Sequence, residues 1–222
     1  MTEWNIAPKR AIEMQKRLAE KVVLGPLAQP PKTIAGADAS ADRFGDDLYA
    51  GMIVFSYPSL EPLDRSVVRV KASFPYIPGL LSFREIPGLL RCLEGLGQKP
   101  DLIMVDGQGI AHPRRLGIAS HLGVLTGIPT IGCAKSRLYG AYREPGQVGE
   151  TERILDPKTG ETIGYALRSK ARANPILVSP GYGIEREEAL EIARSCIRGY
   201  RLPEPTRQAH ILVNRSRRGE PL

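Results

Sequence analysis

Apolar residues recur at two different spacings in the first third of the chain. Within residues 8–23 they recur every three or four positions with charged residues opposite them, which predicts an amphipathic helix opened by Pro8. Three short apolar runs follow at residues 33–38, 48–57 and 65–72, and a polar turn at residues 43–47 separates the first two. Runs joined by such short connections predict a meander of three antiparallel strands.

Strands and helices alternate in the middle of the chain. We expect a helix that begins between Ser82 and Pro87, a strand at 102–105, a helix from Pro113 to Gly127, and a strand at 129–133. Right-handed crossovers place strand 102–105 beside strand 33–38 and parallel to it. The sequence therefore predicts an α/β fold with a mixed sheet, in which three antiparallel strands precede parallel ones and helices flank the sheet.

The last third of the chain is less regular. It predicts a hairpin of residues 147–155 and 162–168, a strand at 174–179, and helices at 184–200 and 205–214. We expect residues 1–214 to form a single domain, because a chain of 222 residues with 42% hydrophobic content can bury one sizeable core. Residues 215–222 are basic, and we expect them to form a flexible tail.

Charge and cysteine usage narrow the class of protein. The net charge of +7 favours a polyanionic partner such as nucleic acid. Cys92, Cys133 and Cys196 lie far apart in apolar contexts, so we expect core thiols in a reducing compartment and no zinc site. We expect a cytoplasmic protein without a membrane segment, because no apolar run reaches the ~20 residues that span a bilayer. The absence of heptads favours a monomer.

Two aspartates follow apolar runs that we expect to be neighbouring parallel strands. Asp38 ends the first run, and Asp106 ends the run at 102–105. Carboxylates placed side by side repel one another unless a proton or a cation joins them, and oxygen ligands suit Mg²⁺ or Mn²⁺. The glycines after Asp106 do not form a dinucleotide loop, because His112 stands where the third glycine belongs. A turn-capping Asp38 and a plain strand–turn–helix at Asp106 remain alternatives.

Glu85 is a third candidate, and its spacing supports two interpretations. Ser82-x-x-Glu85 has the spacing of a capping box, which stabilises the start of a helix by about 1 kcal/mol. A glutamate in the first turn of this helix could equally face the two aspartates. The spacing alone does not decide between these interpretations.

Four segments of the chain carry a shared resemblance: residues 36–40, 75–85, 105–117 and 132–136, in that order. Together they resemble the endonuclease V family, metal-dependent nucleases that act at deoxyinosine in DNA. It implies a ribonuclease-H-like fold, which agrees with the predicted sheet. It also implies that Asp38, Glu85 and Asp106 hold Mg²⁺, with Mn²⁺ able to substitute. Catalytic roles carry over to Lys135, beside the scissile phosphate, and to His210, near the metals.

The same resemblance assigns residues to substrate recognition. The loop Pro75-Tyr76-Ile77-Pro78 resembles the family's wedge, and a stiff loop with an aromatic residue can hold bases apart. The displaced base would then be flipped into a pocket. We expect the pocket wall to include Gly79, Leu81, Gly107, Gly109 and His112. The chain departs from the family's pattern at Ala41 and Gln108, neither of which is one of the three carboxylates.

The resemblance implies a DNA repair endonuclease that recognises deoxyinosine. We expect it to hydrolyse the second phosphodiester bond 3′ to the lesion and to leave 3′-hydroxyl and 5′-phosphate ends. Two alternatives stay open at this point. The enzyme could act mainly on inosine-containing RNA, or the chain could be a non-catalytic nucleic-acid-binding protein. The intact set of three carboxylates argues against the second.

Overall fold

The computed structural model describes residues 4–41 and 45–221, so Arg43 and Phe44 of the predicted first turn lie outside the described residues. The described helices are α1 Pro8–Ala19, α2 Leu81–Glu94, α3 Ile118–Thr126, α4 Arg186–Ser195 and α5 Glu204–Arg218. The described strands are β1 Thr33–Ala41, β2 Asp47–Ser56, β3 Pro62–Lys71, β4 Leu102–Val105, β5 Thr130–Ala134, β6 Thr151–Leu155, β7 Thr162–Leu167 and β8 Ile176–Tyr182.

These strands form one mixed sheet in the order β3-β2-β1-β4-β5-β8-β7-β6. The pairs β1–β4 and β4–β5 are parallel, and the other neighbouring pairs are antiparallel. The register pairs Ala37 with Val105, so the residues that follow them, Asp38 and Asp106, lie next to each other at the same edge of the sheet. Asp106 follows the end of β4, whereas Asp38 is still within β1, where it pairs with Gly51 of β2. The predicted mixed sheet and the parallel pairing of its first and fourth strands are confirmed.

Helices cover both faces of the sheet. Along β4, Leu102 and Met104 pack in the cluster that contains α4, whereas Ile103 and Val105 pack in the cluster that contains α2 and α3. All four side chains are fully buried. This explains why β4 is a continuous apolar run and not an alternating one, since a strand with two covered faces has no polar side.

The predicted helix from Pro113 is wrong at its start. Helix α3 begins only at Ile118, after a compact loop in which the N–H of Gly117 donates to the carbonyl of Gly109 at 2.9 Å. Arg115 has a φ of 57°, in the left-handed region, and this conformation cannot continue a right-handed helix. Pro113 therefore belongs to the loop that follows β4.

Other predicted boundaries also differ from the structure, and the helix predicted at 184–200 ends at Ser195. The first helix ends at Ala19 instead of residue 23, because the N–H groups of Lys21 and Val22 bond three residues back in a tighter turn. Helix α5 continues to Arg218, so the first four residues of the predicted flexible tail are helical. The stop signal is Gly219, whose φ of 69° closes the helix.

Cys92, Cys133 and Cys196 are buried free thiols, which confirms the expectation of core cysteines. Among residues 4–41 and 45–221, none of the helices combines the length and the apolar character needed to cross a membrane.

A close approach between β1 and α5 generates a prediction about stability. A Cβ atom on Gly36 would lie 1.9 Å from the carbonyl oxygen of Pro205, at the start of α5. We expect Gly36→Ala to lower the free energy of unfolding by about 1–3 kcal/mol, because α5 must move away from the sheet. Urea denaturation measures this change. The control Gly25→Ala, where nothing lies within 4 Å, should change little, and equal effects would contradict the argument.

Candidate active site

Four elements bring charged side chains to one edge of the sheet. Asp38 lies near the end of β1, and Asp106 directly follows β4. Lys135 directly follows β5, the next strand along the sheet. His210 comes from α5, which packs on β1 and β2. The carboxyl ends of the parallel strands therefore form the site, as is usual in open α/β sheets.

The central group comprises Asp38, Asp106 and His210, whose potential ligand atoms lie within 4.8 Å of one another. The Nδ1 atom of His210 is 2.8 Å from Oδ2 of Asp38, and it is 3.3 Å from Nζ of Lys135. Lys135 also forms a short ion pair with Oδ2 of Asp106. The predicted candidates Asp38, Asp106, Lys135 and His210 are thus in mutual contact.

Glu85 lines the same cavity, although it is not part of the compact group. Burial, together with the negative charges of Asp38 and Asp106, raises the pKa of Glu85 to about 8. The capping-box interpretation is wrong: α2 begins at Leu81 without a side-chain cap, and the hydroxyl of Ser82 is 3.0 Å from Nδ1 of the buried His121. Glu85 therefore faces the aspartates and does not stabilise the helix start.

The electrostatics of these groups fit a bound divalent cation. Burial and the adjacent charge of Asp38 raise the pKa of Asp106 above its ordinary value, while Lys135 opposes this shift. Raised carboxyl pKa values mean that the site disfavours its own negative charge. Carboxylates from β1, β4 and α2 line one cavity, and carboxylate oxygens are ligands that Mg²⁺ and Mn²⁺ accept. His210 adds a nitrogen atom beside Asp38 and Asp106.

The site is the floor of a cavity of about 420 Å³, within the ~300–1,000 Å³ range typical of small-ligand pockets. Its lining includes most of the residues that the sequence predicted for recognition. These are Tyr76, Pro78, Gly79, Leu81, Gly107 and His112. Catalytic and recognition candidates therefore share one cavity.

Comparisons with known proteins agree on one family. The family model for Endonuclease V matches residues 16–211. Endonuclease V of Gloeobacter violaceus is 48% identical over 218 residues, which are 96% of this chain and 88% of that protein. The crystal structure of Endonuclease V from Streptomyces avermitilis matches with a TM-score of 0.90 and 37% identity, over 97% of this chain and 95% of that one.

The chain belongs to the endonuclease V family. Its ribonuclease-H-like fold is the fold of the family's solved structures. Membership implies a nuclease that hydrolyses phosphodiester bonds. A further structure, Endonuclease V of Ciona intestinalis in complex with a 24mer DNA containing an inosine followed by a ribo-adenosine, matches with a TM-score of 0.84. It is 28% identical over 95% of this chain and 98% of that one.

Three residues predicted for recognition do not line the cavity above the candidate site. The N–H of Gly109 donates to Oγ of Ser179 at 2.8 Å, and a Cβ atom there would lie 2.1 Å from the carbonyl oxygen of Pro180. Position 109 therefore requires a glycine, because β8 passes close to it. Contrary to the prediction, Gly109 does not form part of the pocket wall. Ile77 packs inward against the cluster around Phe74, and Pro75 is exposed beside it.

The wedge loop is tied to the loop after β4 through the carbonyl oxygen of Gly79. This oxygen accepts from Nη2 of Arg114 at 2.9 Å and from Nε2 of Gln15 at 3.1 Å, and it lies 3.0 Å from Nε2 of His112. Burial lowers the pKa of His112 to about 4, so its ring is neutral at pH 7. Its Nδ1 accepts from the N–H of Arg114, so the ring proton is on Nε2 and donates to Gly79.

Gln15 is a site residue that the sequence analysis missed. It lies on α1, for which the sequence predicts only an amphipathic helix, yet its side chain is buried and lines the cavity. It also donates to the carbonyl of Leu116 at 2.8 Å, which joins α1 to the loop before α3. The signal was available, because Gln15 is a polar residue on the apolar face of the helix, one turn from Ala11 and Leu18.

The raised pKa of Glu85 predicts a pH-dependent stability in the absence of divalent cations. Between pH 4.5 and about pH 8, the folded protein keeps a proton on Glu85 that the unfolded chain releases. The free energy of unfolding should therefore fall as the pH rises through this window. Glu85→Gln removes this contribution, so its stability relative to the wild type should increase from pH 5 to pH 8. Urea denaturation in EDTA measures the difference.

The exposed Glu94, at the end of the same helix, supplies the matched control. We expect the stability difference between Glu94→Gln and the wild type to stay nearly constant over this pH range. A constant difference for Glu85→Gln as well would show that the Glu85 carboxyl titrates normally.

Proposed function

We propose that the chain is a Mg²⁺-dependent DNA repair endonuclease that recognises deoxyinosine and hydrolyses the second phosphodiester bond 3′ to it. The observation that carries this proposal is the compact group of Asp38, Asp106 and His210 on the floor of a cavity whose rim includes an exposed tyrosine, Tyr76. The inosine-containing DNA in the complex of the Ciona intestinalis relative supports the choice of substrate.

Asp38, Glu85 and Asp106 would hold the cation, with His210 beside it and Mn²⁺ able to replace Mg²⁺. A divalent cation bound there supplies a Lewis acid, which lowers the pKa of a water molecule and stabilises charge on a phosphodiester. Displacing the proton from Glu85 and the ammonium of Lys135 from Asp106 would make both carboxylates available as ligands.

Lys135 would act on the phosphate, and His210 would act on the water. Lys135 now pairs with Asp106, and with a cation held by that carboxylate its ammonium would be free to lie against the scissile phosphate. Asp38 orients His210 through Nδ1, and the side-chain amide nitrogen of Asn214 lies 3.2 Å from its Nε2. In the hydrolysis, a water oxygen bonds to phosphorus and the bond from phosphorus to the 3′ oxygen breaks. The water loses a proton and the 3′ oxygen gains one, which gives 3′-hydroxyl and 5′-phosphate ends.

The cavity contains both kinds of group needed to read hypoxanthine, whose N1 donates a hydrogen bond and whose O6 accepts one. Leu81 is the first residue of α2, so its N–H has no intrahelical partner and can donate to O6. Gln108 donates from Nε2 to the carbonyl of Ser136 at 2.9 Å, while its buried Oε1 has no hydrogen-bond partner among the described residues. That oxygen is a candidate acceptor for N1–H, at one of the positions where the chain departs from the family's pattern.

Cleavage of a synthetic strand tests the proposal directly. A DNA strand with one deoxyinosine, incubated with protein and Mg²⁺, should be cut at the second phosphodiester 3′ to the lesion, and the same strand with deoxyadenosine should stay intact. Asp106→Ala should keep the preference for inosine in binding and lose cutting by at least ~100-fold. Glu94→Ala, which removes an exposed carboxylate remote from the edge, should cut like the wild type.

Two outcomes of this experiment, repeated with a matched RNA strand, would contradict the proposal, and a third would change the role assigned to Asp106. Binding without cutting in Mg²⁺ and in Mn²⁺ would favour a non-catalytic binding protein. Faster cutting of a matched inosine-containing RNA than of the DNA would favour an endoribonuclease. Loss of inosine binding in Asp106→Ala would mean that Asp106 has a structural role.

The exposure of Tyr76 generates a separate prediction about the wedge. Its side chain is 71% exposed, at the tip of a loop between two prolines and beside the cavity. Tyr76→Ala should weaken binding of deoxyinosine DNA by ~1–3 kcal/mol, the usual value of an aromatic residue stacked on a base. Tyr76→Phe keeps the ring and should retain the affinity, which fluorescence anisotropy can measure. Unchanged affinity in Tyr76→Ala would remove the wedge role.

A further inference from the structure

A second concave surface adjoins the catalytic group, and no residue of the wedge loop lines it. We define it as the downstream groove, formed by Lys170, Arg172, Tyr200, Arg201 and Arg207. It shares Lys135 and His210 with the cavity, so the two depressions meet at the catalytic group. Neither the family resemblance nor the hydrolytic step required these residues.

The groove is strongly basic, and its cations differ in how firmly they are held. Arg207 forms a bidentate ion pair with Glu204, at 2.7 and 2.8 Å. Arg201 donates to the carbonyls of Asn174 and Pro175, at 2.8 and 3.1 Å, and to the carbonyl of Lys135. These two arginines build the groove and fix its position relative to Lys135.

Lys170 and Arg172, by contrast, keep their charges available. Both are exposed, and within the described chain neither lies within ion-pair distance of a carboxylate. The ring of Tyr200 contacts one cation of each kind. Cζ of the ion-paired Arg207 is 4.0 Å from the ring centroid, and Nζ of Lys170 is 5.8 Å from it. The ring is 49% exposed. An exposed aromatic ring flanked by cations is typical of surfaces that bind a single nucleic-acid strand.

The order of the sites along the surface gives the strand a direction. The wedge loop lines the base cavity and not the downstream groove, and the two depressions meet at Lys135 and His210. Under the proposed function the lesion is 5′ to the cut, so the chain of nucleotides passes from the cavity over the carboxylates. The strand that continues in the 3′ direction then leaves past Lys135 and His210.

We propose that the downstream groove binds the nucleotides 3′ to the cut, through phosphate contacts to Lys170 and Arg172 beside the platform of Tyr200 and Arg207. This inference rests on the proposed function, because the position of the lesion relative to the cut sets the direction of the strand. After hydrolysis, the same groove would hold the product end that carries the 5′-phosphate.

Single-stranded deoxyinosine oligonucleotides with a constant 5′ arm and 3′ arms of increasing length test this proposal. We measure dissociation constants by fluorescence anisotropy in EDTA, where cutting is blocked, for the wild type and for Lys170→Ala with Arg172→Ala. With a long 3′ arm we expect about tenfold weaker binding by the double variant, and with an arm that ends at the cut less than about twofold. For the double variant, the slope of log K against log salt concentration should be shallower by about 1.4, because two single-strand phosphate contacts are lost.

Two matched series identify the source of any loss. Arg91→Ala with Lys99→Ala removes the same charge from exposed positions near the end of α2 and before β4, at the opposite edge of the sheet, and should bind like the wild type. In a series that lengthens the 5′ arm, the Lys170/Arg172 double variant should gain affinity as the wild type does.

The proposal is overturned if the Lys170/Arg172 double variant binds every 3′ arm like the wild type. It is also overturned if that variant loses affinity equally for all arms, or if the Arg91/Lys99 variant loses as much. The proposed function is judged separately, from the preference of the wild type for deoxyinosine over deoxyadenosine at a constant arm length. A wild type without that preference would contradict the proposed function, whatever the arm series shows.

Discussion

Asp38, Glu85 and Asp106 place three carboxylates at one edge of the sheet, where burial and mutual repulsion both work against ionisation. The sheet topology places two of them there, because β1 and β4 are parallel neighbours in a register that pairs Ala37 with Val105, the residues that precede Asp38 and Asp106. Within the protein alone, the repulsion is relieved in part by a proton on Glu85 and by the ammonium of Lys135 on Asp106. An arrangement that is unfavourable without a cation is well suited to binding one.

The surrounding structure keeps these groups in place and connects them to the substrate surfaces. The approach of Pro205 to Gly36 seats α5 against β1, which brings His210 to Asp38. On the other side, Gln15, His112 and Arg114 converge on the carbonyl of Gly79, which joins the wedge loop to the loop after β4. The candidate site is therefore supported by hydrogen bonds between several elements, which suits reactions that depend on exact positioning.

The sequence was informative where a local pattern coincides with the final structure. The apolar runs of β1 and β4, and the crossover rule that joins them, were enough to place Asp38 beside Asp106. The interpretation of Glu85 needed tertiary information, because the capping-box spacing and the active-site position use the same residues. The family resemblance supplied Lys135 and His210, whose loop and helix give no chemical signal of their own.

The remaining errors have local physical causes. The left-handed conformation of Arg115 delays α3, and nothing in the identity of an arginine predicts it. Gly109 is small because β8 passes beside it, a contact between segments about seventy residues apart. Gln15 was passed over because one polar residue on a helix face is a weaker signal than the apolar residues around it.

Proton release on cation binding tests the central claim that the carboxylate cluster is a divalent-metal site. Titration calorimetry of the wild type with Mg²⁺ at pH 7, in two buffers of different ionisation enthalpy, measures the number of protons released. Because the pKa of Glu85 is raised to about 8, its carboxyl is mostly protonated at this pH and must lose that proton to bind the cation. We expect release of about one proton per protein in the wild type and much less in Glu85→Gln. Saturable binding of Mg²⁺ without proton release, or with equal release in both proteins, would contradict the account.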